Sequence, residues 1–267
     1  MDFQSGIHIG TSGWSYKHWK GPFYPPDLPL KEFLGFYMTR FRTVEINSSF
    51  YHLPLEKTLD QWRDAAPPGF IFAVKASRFI THMKRLKDPR RSVPPLLERV
   101  RILKDRLGPI LFQTPPQMGP DLERLRSFLN GLPQEYRYTF EFRHEGWFAP
   151  PVFRILAESG AAFCIYDLAG RQSPREVTAD FVYIRLHGPE GPYQGQYGEE
   201  TLRSWARDFW RWRKKGKEIF CYFDNDQAGY AAQDALRLQA MVGKSRASRW
   251  RTGEREKKMG GMAGSGK

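Results

Sequence analysis

Residues Tyr138–Arg143 read YTFEFR and residues Phe181–His187 read FVYIRLH, and these two stretches decide the fold. In both, apolar and polar side chains alternate, so one face of an extended chain is apolar while the other carries ionisable groups such as Glu141 and Arg185. An apolar face that packs on helices, opposite a face that ends in charged groups, is typical of a parallel β-barrel with its site at the C-terminal ends of the strands.

Eight short segments rich in β-branched and aromatic residues are predicted to be strands. They are Ile7–Thr11, Thr43–Asn47, Phe70–Ala76, Pro109–Gln113, Tyr138–Phe142, Ala162–Tyr166, Phe181–Arg185 and Glu218–Phe223. Amphipathic helical stripes, such as Leu30–Met38 and Leu202–Trp212, separate most of them. The pattern predicts an α/β fold, a single (β/α)8 TIM-type barrel over residues 1–242. The sixth connection, Ala169–Asp180, lacks a helical stripe and is expected to be irregular.

The composition excludes several classes of protein. Of the 267 residues, 40% are hydrophobic and 27% charged, which excludes disordered and fibrous chains. No run of about 18 uncharged apolar residues is present, and the first residues lack a basic and then apolar leader. We therefore expect a cytoplasmic protein without membrane contact. The two cysteines, Cys164 and Cys221, are too few for a disulfide framework or a cysteine zinc site.

The net charge of +13 is carried by two segments. Arg78–Arg106 holds ten basic and three acidic residues, and residues 243–267 hold eight basic and two acidic ones. The second segment ends in glycine and serine, and we expect a disordered basic C-terminal tail. A solvated surface explains both segments, and nucleic acid remains an alternative partner for each.

Alternation along the strands directs ionisable groups into the barrel mouth, where barrel enzymes carry their active sites. We predict catalytic roles for Glu45, Glu141, Asp167 and His187. Substrate-binding roles are predicted for Ser12, Trp14, Asn47, Lys75, Gln113, Arg143, Arg185, Asp224 and Asn225. Carboxylates and cations are nearly balanced in this set, which favours a lyase, isomerase or hydrolase acting on a small anionic or phosphorylated molecule. No cofactor is predicted. A divalent metal held by the catalytic set, and a nuclease-like hydrolase, stay as alternatives.

Seven motifs then appear in register between Ile7 and Met241. They are Ser12-Gly13-Trp14-x-Tyr16, Val44-Glu45-x-Asn47-x-x-Phe50-Tyr51, Phe72-Ala73-Val74-Lys75, Leu111-Phe112-Gln113-x-Pro115-Pro116, Glu141-Phe142-Arg143-His144-x-x-Trp147, Arg185-Leu186-His187-Gly188 and Tyr222-Phe223-Asp224-Asn225. Together they resemble the YecE-like family, a bacterial and archaeal domain of unknown function. The resemblance implies a TIM-type barrel with a pocket at the C-terminal ends of the strands. It implies no particular reaction.

Overall fold

A computed structural model describes residues 6–243. Nine strands form its sheet, and eight of them are long enough to build the barrel wall. The strands are β1 (Ile7–Thr11), β2 (Thr43–Ile46), β3 (Ile71–Lys75), β4 (Leu107–Gln113), β5 (Tyr138–Glu141), β6 (Ala162–Leu168), β7 (Arg171–Gln172), β8 (Phe181–Leu186) and β9 (Glu218–Phe223). All eight predicted strands are therefore present, and their ends lie within two residues of the predicted positions.

Helices follow most of the wall strands. They are α1 (Phe33–Arg40), α2 (Glu56–Ala65), α3 (Pro89–Ser92), α4 (Pro94–Val100), α5 (Leu122–Asn130), α6 (Pro150–Glu158), α7 (Glu199–Lys214) and α8 (residues 230–243). Their starts follow local chemistry, because Asp121 caps α5 by accepting from the Arg124 N–H at 2.9 Å, and Pro150 opens α6. None of the helices in the described residues is long and apolar enough to cross a membrane.

The wall strands are all parallel and run in the order β1-β9-β8-β6-β5-β4-β3-β2. The two ends of this order meet through a bridge between Ser12 and Glu45, and the Gly13 N–H donates to the Glu45 carbonyl at 2.8 Å. The barrel is therefore nearly closed, and the predicted α/β barrel is confirmed. Closure between β1 and β2 places their first loop residues beside each other at the mouth.

The sixth connection is irregular, as predicted. The chain turns back after β6, and the two-residue strand β7 pairs antiparallel with its end. Residues 173–180 then reach β8 without a helix. The predicted disordered tail, residues 243–267, lies outside the described residues except for Gly243.

The apolar core has two parts. The larger part fills the space between the strands and the helices and includes Phe112, Phe140 and Trp205. A smaller cluster occupies the inside of the barrel below the mouth. Its members are Ala73, Leu111, Ala162, Cys164, Ala179, Phe181, Tyr183, Phe220 and Tyr222. Ionisable side chains lie above this apolar floor, where the strands end.

Candidate active site

The guanidinium of Arg185, on β8, is the centre of the mouth. Its Nη2 lies 2.7 Å from Glu45 Oε1 and 3.0 Å from Asp224 Oδ2, and its Nη1 lies 2.9 Å from Glu141 Oε2. The Arg185 side chain is 1% exposed, and three carboxylates from three other strand ends surround it. Because the planar guanidinium donates to these oxygens from Nε, Nη1 and Nη2, Arg185 holds the strand ends in a fixed arrangement.

Opposite charges set the protonation of this cluster. Burial alone would raise the pKa of Glu141, but the guanidinium groups of Arg143 and Arg185 outweigh it and hold that pKa well below its usual range. Burial also opposes ionisation of Asp224, and Arg185 and His187 together lower the pKa of this carboxyl. Both groups are therefore carboxylates at neutral pH, and they act as acceptors rather than as proton donors.

Glu45, on β2, accepts hydrogen bonds from the hydroxyl groups of a serine and a tyrosine as well as from Arg185. Ser12 donates its hydroxyl to Glu45 Oε1, and the Tyr183 hydroxyl donates to Oε2 at 2.6 Å. The Ser12 oxygen in turn accepts from Asn47 Nδ2 at 2.6 Å and from Arg185 Nη2 at 3.0 Å. Each oxygen of Glu45 has at least two donors, so this carboxylate links the ends of the strands that carry those donors.

His187 joins the cluster to the open side of the mouth. Its Nδ1 lies 3.0 Å from Asp224 Oδ2, and its Nε2 lies 2.9 Å from Nη2 of Arg143. A guanidinium can only donate, so the shorter contact requires Nε2 to accept and places the imidazole proton on Nδ1. Glu141 Oε1 is also near Nε2, at 3.5 Å, which is a weaker contact. We therefore assign a histidine whose base nitrogen faces Arg143.

Lys75, the last residue of β3, differs from the two arginines. Within residues 6–243, no carboxylate lies within ion-pair distance of its Nζ, which lies 4.4 Å from the centre of the Phe50 ring. Burial and the nearby Arg185 lower the pKa of Lys75 to about 8. The side chain is half-buried. A substantial fraction of this amine is therefore neutral just above physiological pH.

A cavity of about 400 Å³ opens beside the cluster, between the ends of β4, β5 and β6. Arg143, Gln113 and Tyr193 line it together with eight other residues. Tyr193 packs edge to face on His187, with ring centres 5.7 Å apart, and the Arg143 guanidinium lies 5.0 Å from the centre of the Tyr166 ring. The volume is at the lower end of the range for small-molecule sites.

Eight of the predicted residues meet in one polar cluster by direct hydrogen bonds or ion pairs. They are Ser12, Glu45, Asn47, Glu141, Arg143, Arg185, His187 and Asp224. Lys75 lies close enough for the charges of this cluster to affect its pKa, and Gln113 lies on the cavity wall. Alternation along the strands therefore predicted this convergence correctly.

Asp167 and Asn225 do not join the cluster. Asp167 accepts from Gln172 Nε2 at 2.9 Å, and Asn225 donates to the Gly195 carbonyl and to Asp234 Oδ2, each at 2.9 Å. In β6, Cys164 and Tyr166 point into the barrel, so Asp167 points out of it. Asn225 follows the inward Asp224 and points out for the same reason. The prediction that both lie in the mouth was wrong.

Trp14 also lies elsewhere. Its ring packs edge to face on Trp62 of α2, with ring centres 4.8 Å apart, and both residues line an outer groove. Gly13, at φ +83°, turns the chain away from the mouth directly before it. The structure therefore does not bring Trp14 to the polar cluster, because the strand period ends at this turn, and its substrate-binding role stays a prediction.

Three tyrosines near the cluster were not among the predicted site residues. Tyr183 and Tyr166 are on inward positions of β8 and β6, and the same alternation that found Arg185 also applies to them. Tyr193 lies on the glycine-rich loop after β8, at φ +66°. No periodicity extends into that loop, so the sequence contains no signal for its position over His187.

The sequence left a divalent metal, held by the predicted catalytic side chains, as an alternative. No group of three or more His, Cys, Asp or Glu side chains within residues 6–243 has the geometry of a metal site. The three carboxylates that converge at the mouth share the guanidinium of Arg185, which occupies the position between them. This donor set does not fit a divalent metal.

The basic segment Arg78–Arg106 is not a single surface. Arg78 is exposed near the mouth and close enough to His82 to lower the pKa of that imidazole, although burial is the larger cause. Arg90 and Arg91, on α3, line a groove that Glu123 of α5 shares. Arg99 lies 3.8 Å from Glu56. Only the first part of the segment is therefore placed near the candidate site.

Comparison with known proteins gives the family context. The family model described as a protein of unknown function, DUF72, matches residues 8–258. The UPF0759 protein YunF of Bacillus subtilis strain 168 is 24% identical over 270 residues, which cover 88% of this chain and 94% of YunF. The UPF0759 protein YecE of Escherichia coli strain K12 is 33% identical over 144 residues, or 54% of this chain and 50% of YecE.

Solved structures agree with the fold. A DUF72 family protein from Thermotoga maritima MSB8 has a TM-score of 0.81 and 30% identity, covering 89% of this chain and 99% of that chain. A DUF72 family protein from Enterococcus faecalis V583 has a TM-score of 0.74 and 18% identity, with 89% and 95% covered. A glycoside hydrolase family 5 enzyme from Prevotella bryantii B14, with a TM-score of 0.50 and 10% identity, is similar in fold alone.

Proposed function

Because this chain belongs to the DUF72 family of proteins of unknown function, as its motifs predicted, we propose its function from the mouth of the barrel. We infer an enzyme that moves a proton on a small anionic or phosphorylated substrate. Lyase, isomerase and hydrolase chemistry all use such a step. The single observation that carries the proposal is the contact between His187 Nε2 and Arg143, with Asp224 on the opposite side of the imidazole.

This arrangement supports a base that substrate binding exposes. Arg143 now occupies the Nε2 lone pair of His187, and it also forms an ion pair with Glu141. An anionic group that enters the cavity competes for the same guanidinium, because arginine binds carboxylates and phosphates through two parallel N–H groups. When Arg143 turns to the substrate, Nε2 keeps only the longer contact of 3.4 Å from Arg185 Nη1 and can accept a proton. Asp224 then stabilises the imidazolium that forms.

The other members of the cluster support this role. Arg185 is saturated by three carboxylates, so it fixes the geometry rather than holding substrate. Lys75 and Gln113 also have spare binding capacity, and both lie at the ends of adjacent strands β3 and β4. A barrel mouth with preorganised charges, next to a cavity, is the usual place for catalysis in this fold.

A screen of small anions tests the proposal. Thermal shift with a library of phosphorylated and carboxylated metabolites is expected to give at least one compound that raises the melting temperature of the wild type. The Arg143→Gln variant is expected to lose this shift, and Arg203→Gln, an exposed arginine paired with Glu199 on α7, is expected to keep it. A library without any stabilising anion, or equal shifts in both variants, contradicts the proposal.

Nucleic acid binding is the second candidate, and one observation favours it. Tyr51 and Phe79, which are 64% and 42% exposed, follow β2 and β3 near the exposed Arg78. Aromatic rings beside arginine can stack bases and pair with phosphate. Binding to a single-stranded oligonucleotide should then weaken steeply with salt and should also weaken in Arg78→Gln. Affinity that is independent of salt, or unchanged in this variant, contradicts it.

A further inference from the structure

Lys75 is a cation at the mouth for which the cluster supplies no counterion. Glu45, Glu141 and Asp224 contribute to the field at its amine, yet none of them lies within ion-pair distance. All three carboxylates are engaged by Arg185. The described surroundings of Nζ therefore offer a ring face and a second cation rather than a paired carboxylate.

Lys75 lies at the mouth end of β3, the strand next to the one that carries Gln113 of the cavity wall. Lys75 ends β3 and pairs in register with Leu111 of β4, two residues before Gln113 on the cavity wall. The side chain points inward, as Ala73 does two residues earlier. The Phe50 ring lies under Nζ and limits the water that reaches it from that side. Within the described residues, this half-buried amine packs on one ring face and makes no salt bridge, so its other side is available to a ligand.

We propose that Lys75 is a nucleophile that forms an imine with a small aldehyde or ketone carrying an anionic group. This inference rests on the proposed function and names its substrate class. The Lys75 nitrogen lone pair attacks the carbonyl carbon, and a C–N bond forms as the C=O π bond becomes a hydroxyl. The carbinolamine then loses this oxygen as water, which carries away both amine protons of the neutral Lys75. The products are one C=N bond and one water molecule, and no oxidant or reductant is consumed.

The neighbours of Lys75 suit each part of this step. A neutral amine is required for attack, and the pKa of about 8 gives more than about a hundredfold larger neutral fraction at pH 7 than an ordinary lysine has. Arg143 and Gln113 are placed to bind the anionic end of the substrate in the cavity. His187, once released by Arg143, is the base for the proton next to the imine carbon.

Trapping with borohydride tests the inference directly. Pyridoxal 5′-phosphate serves as the probe, because it is an anionic aldehyde whose imine absorbs visible light and whose reduced adduct is stable. The wild type is incubated with a substoichiometric amount, reduced with sodium borohydride, digested and mapped by mass spectrometry. We expect the adduct on Lys75 to form about tenfold or more faster than on exposed lysines, because its amine is neutral more often. Pyridoxal without phosphate should label Lys75 more slowly.

Three variants distinguish a nucleophilic Lys75 from a Lys75 that only supplies a positive charge to the site. Lys75→Arg keeps the cation and should lose the imine absorbance while inorganic phosphate still stabilises the protein. Arg143→Gln should slow labelling of Lys75 by pyridoxal 5′-phosphate but not by pyridoxal. Lys57→Arg, an exposed lysine of α2, should label at Lys75 as the wild type does.

Labelling spread evenly over exposed lysines, or imine absorbance that persists in Lys75→Arg, overturns the inference. The proposed function has a different failure. If anions still stabilise the wild type and not Arg143→Gln, the site binds anions and only the imine step is wrong. If no anion stabilises the wild type and Lys75 is not labelled, both are wrong.

Discussion

His187 Nδ1 lies 3.0 Å from Asp224 Oδ2, although the two residues are 37 positions apart in the chain. The register of β8 and β9 produces this contact, since Leu186 pairs with Phe223 and the next residue on each strand is His187 and Asp224. Because β8 and β9 are parallel and end at the same level, they place the His187 imidazole and the Asp224 carboxylate beside each other. The bond fixes which imidazole nitrogen carries the proton, and the other nitrogen faces the mouth.

Arg185 is the shared cation at the centre of the cluster. Arg185→Met should lower the free energy of unfolding by about 3–5 kcal/mol, because it leaves buried Glu45, Glu141 and Asp224 without their shared cation. Denaturation by guanidinium chloride measures this loss. Arg203→Met, which breaks an exposed pair on α7, should change it by less than about 1 kcal/mol. Similar small losses in both variants would show that the cluster does not depend on Arg185.

Acid should unfold the protein through the same carboxylates. The folded-state pKa values of Glu141 and Asp224 lie below their ordinary values, so their contribution is complete above about pH 4.5 and is lost as pH falls through the lowered pKa values. The free energy of unfolding should therefore decrease steadily below pH 4.5. Asp224→Asn should show a shallower decrease, because one titrating group is gone. A slope equal to that of the wild type would contradict this origin.

Lys75 should destabilise the fold at neutral pH. Its folded-state pKa of about 8 lies below its ordinary 10.5, so the folded protein binds fewer protons, and stability should rise as pH increases from 8 to 10.5. Lys75→Met should therefore raise the free energy of unfolding at pH 7 by on the order of 1–2 kcal/mol. The gain should shrink above pH 9, which paired denaturation curves at pH 7 and pH 9.5 would reveal. A loss of stability at pH 7 would contradict the prediction.

Asp167 and Arg143 provide a matched pair for the boundary of the site. Asp167→Asn keeps the contact with Gln172 and lies outside the cluster, so it should change the affinity for a stabilising anion by less than about twofold. Arg143→Gln removes a charge-assisted bond to the anion and should lower that affinity by about tenfold or more. Isothermal titration calorimetry measures both. An equal loss of affinity in the two variants would mean that the anion-binding site extends beyond the polar cluster to Asp167.

How much of the site the sequence could predict depended on the strand period. Where a residue lies within a strand or one step beyond it, alternation assigns its side correctly, as for Glu45, Glu141 and Arg185. Asp167 was placed at the mouth by its level after the predicted strand end and not by alternation. In β6, which extends through Leu168, Tyr166 already occupies the inward position, so the same period assigns Asp167 to the outer side.

Loop residues could not be predicted in this way. Trp14 follows a turn at Gly13, and Tyr193 follows a loop with several glycines, so neither direction is set by a period. Pairing also could not be predicted, because three carboxylates and three cations allow many combinations. Only coordinates distinguish the saturated Arg185 from Lys75, which no carboxylate of the described residues contacts within ion-pair distance.

The protonation pattern of His187 tests the central claim most directly. We expect ¹⁵N-resolved NMR of the imidazole at neutral pH to place the proton on Nδ1, bonded to Asp224, with Nε2 as an unprotonated acceptor of the Arg143 bond. Asp224→Asn should disturb this signal, and the exposed His144 should provide an internal reference. A proton found on Nε2, with Nδ1 unprotonated, would contradict the assignment of His187 as the base at the mouth of the barrel.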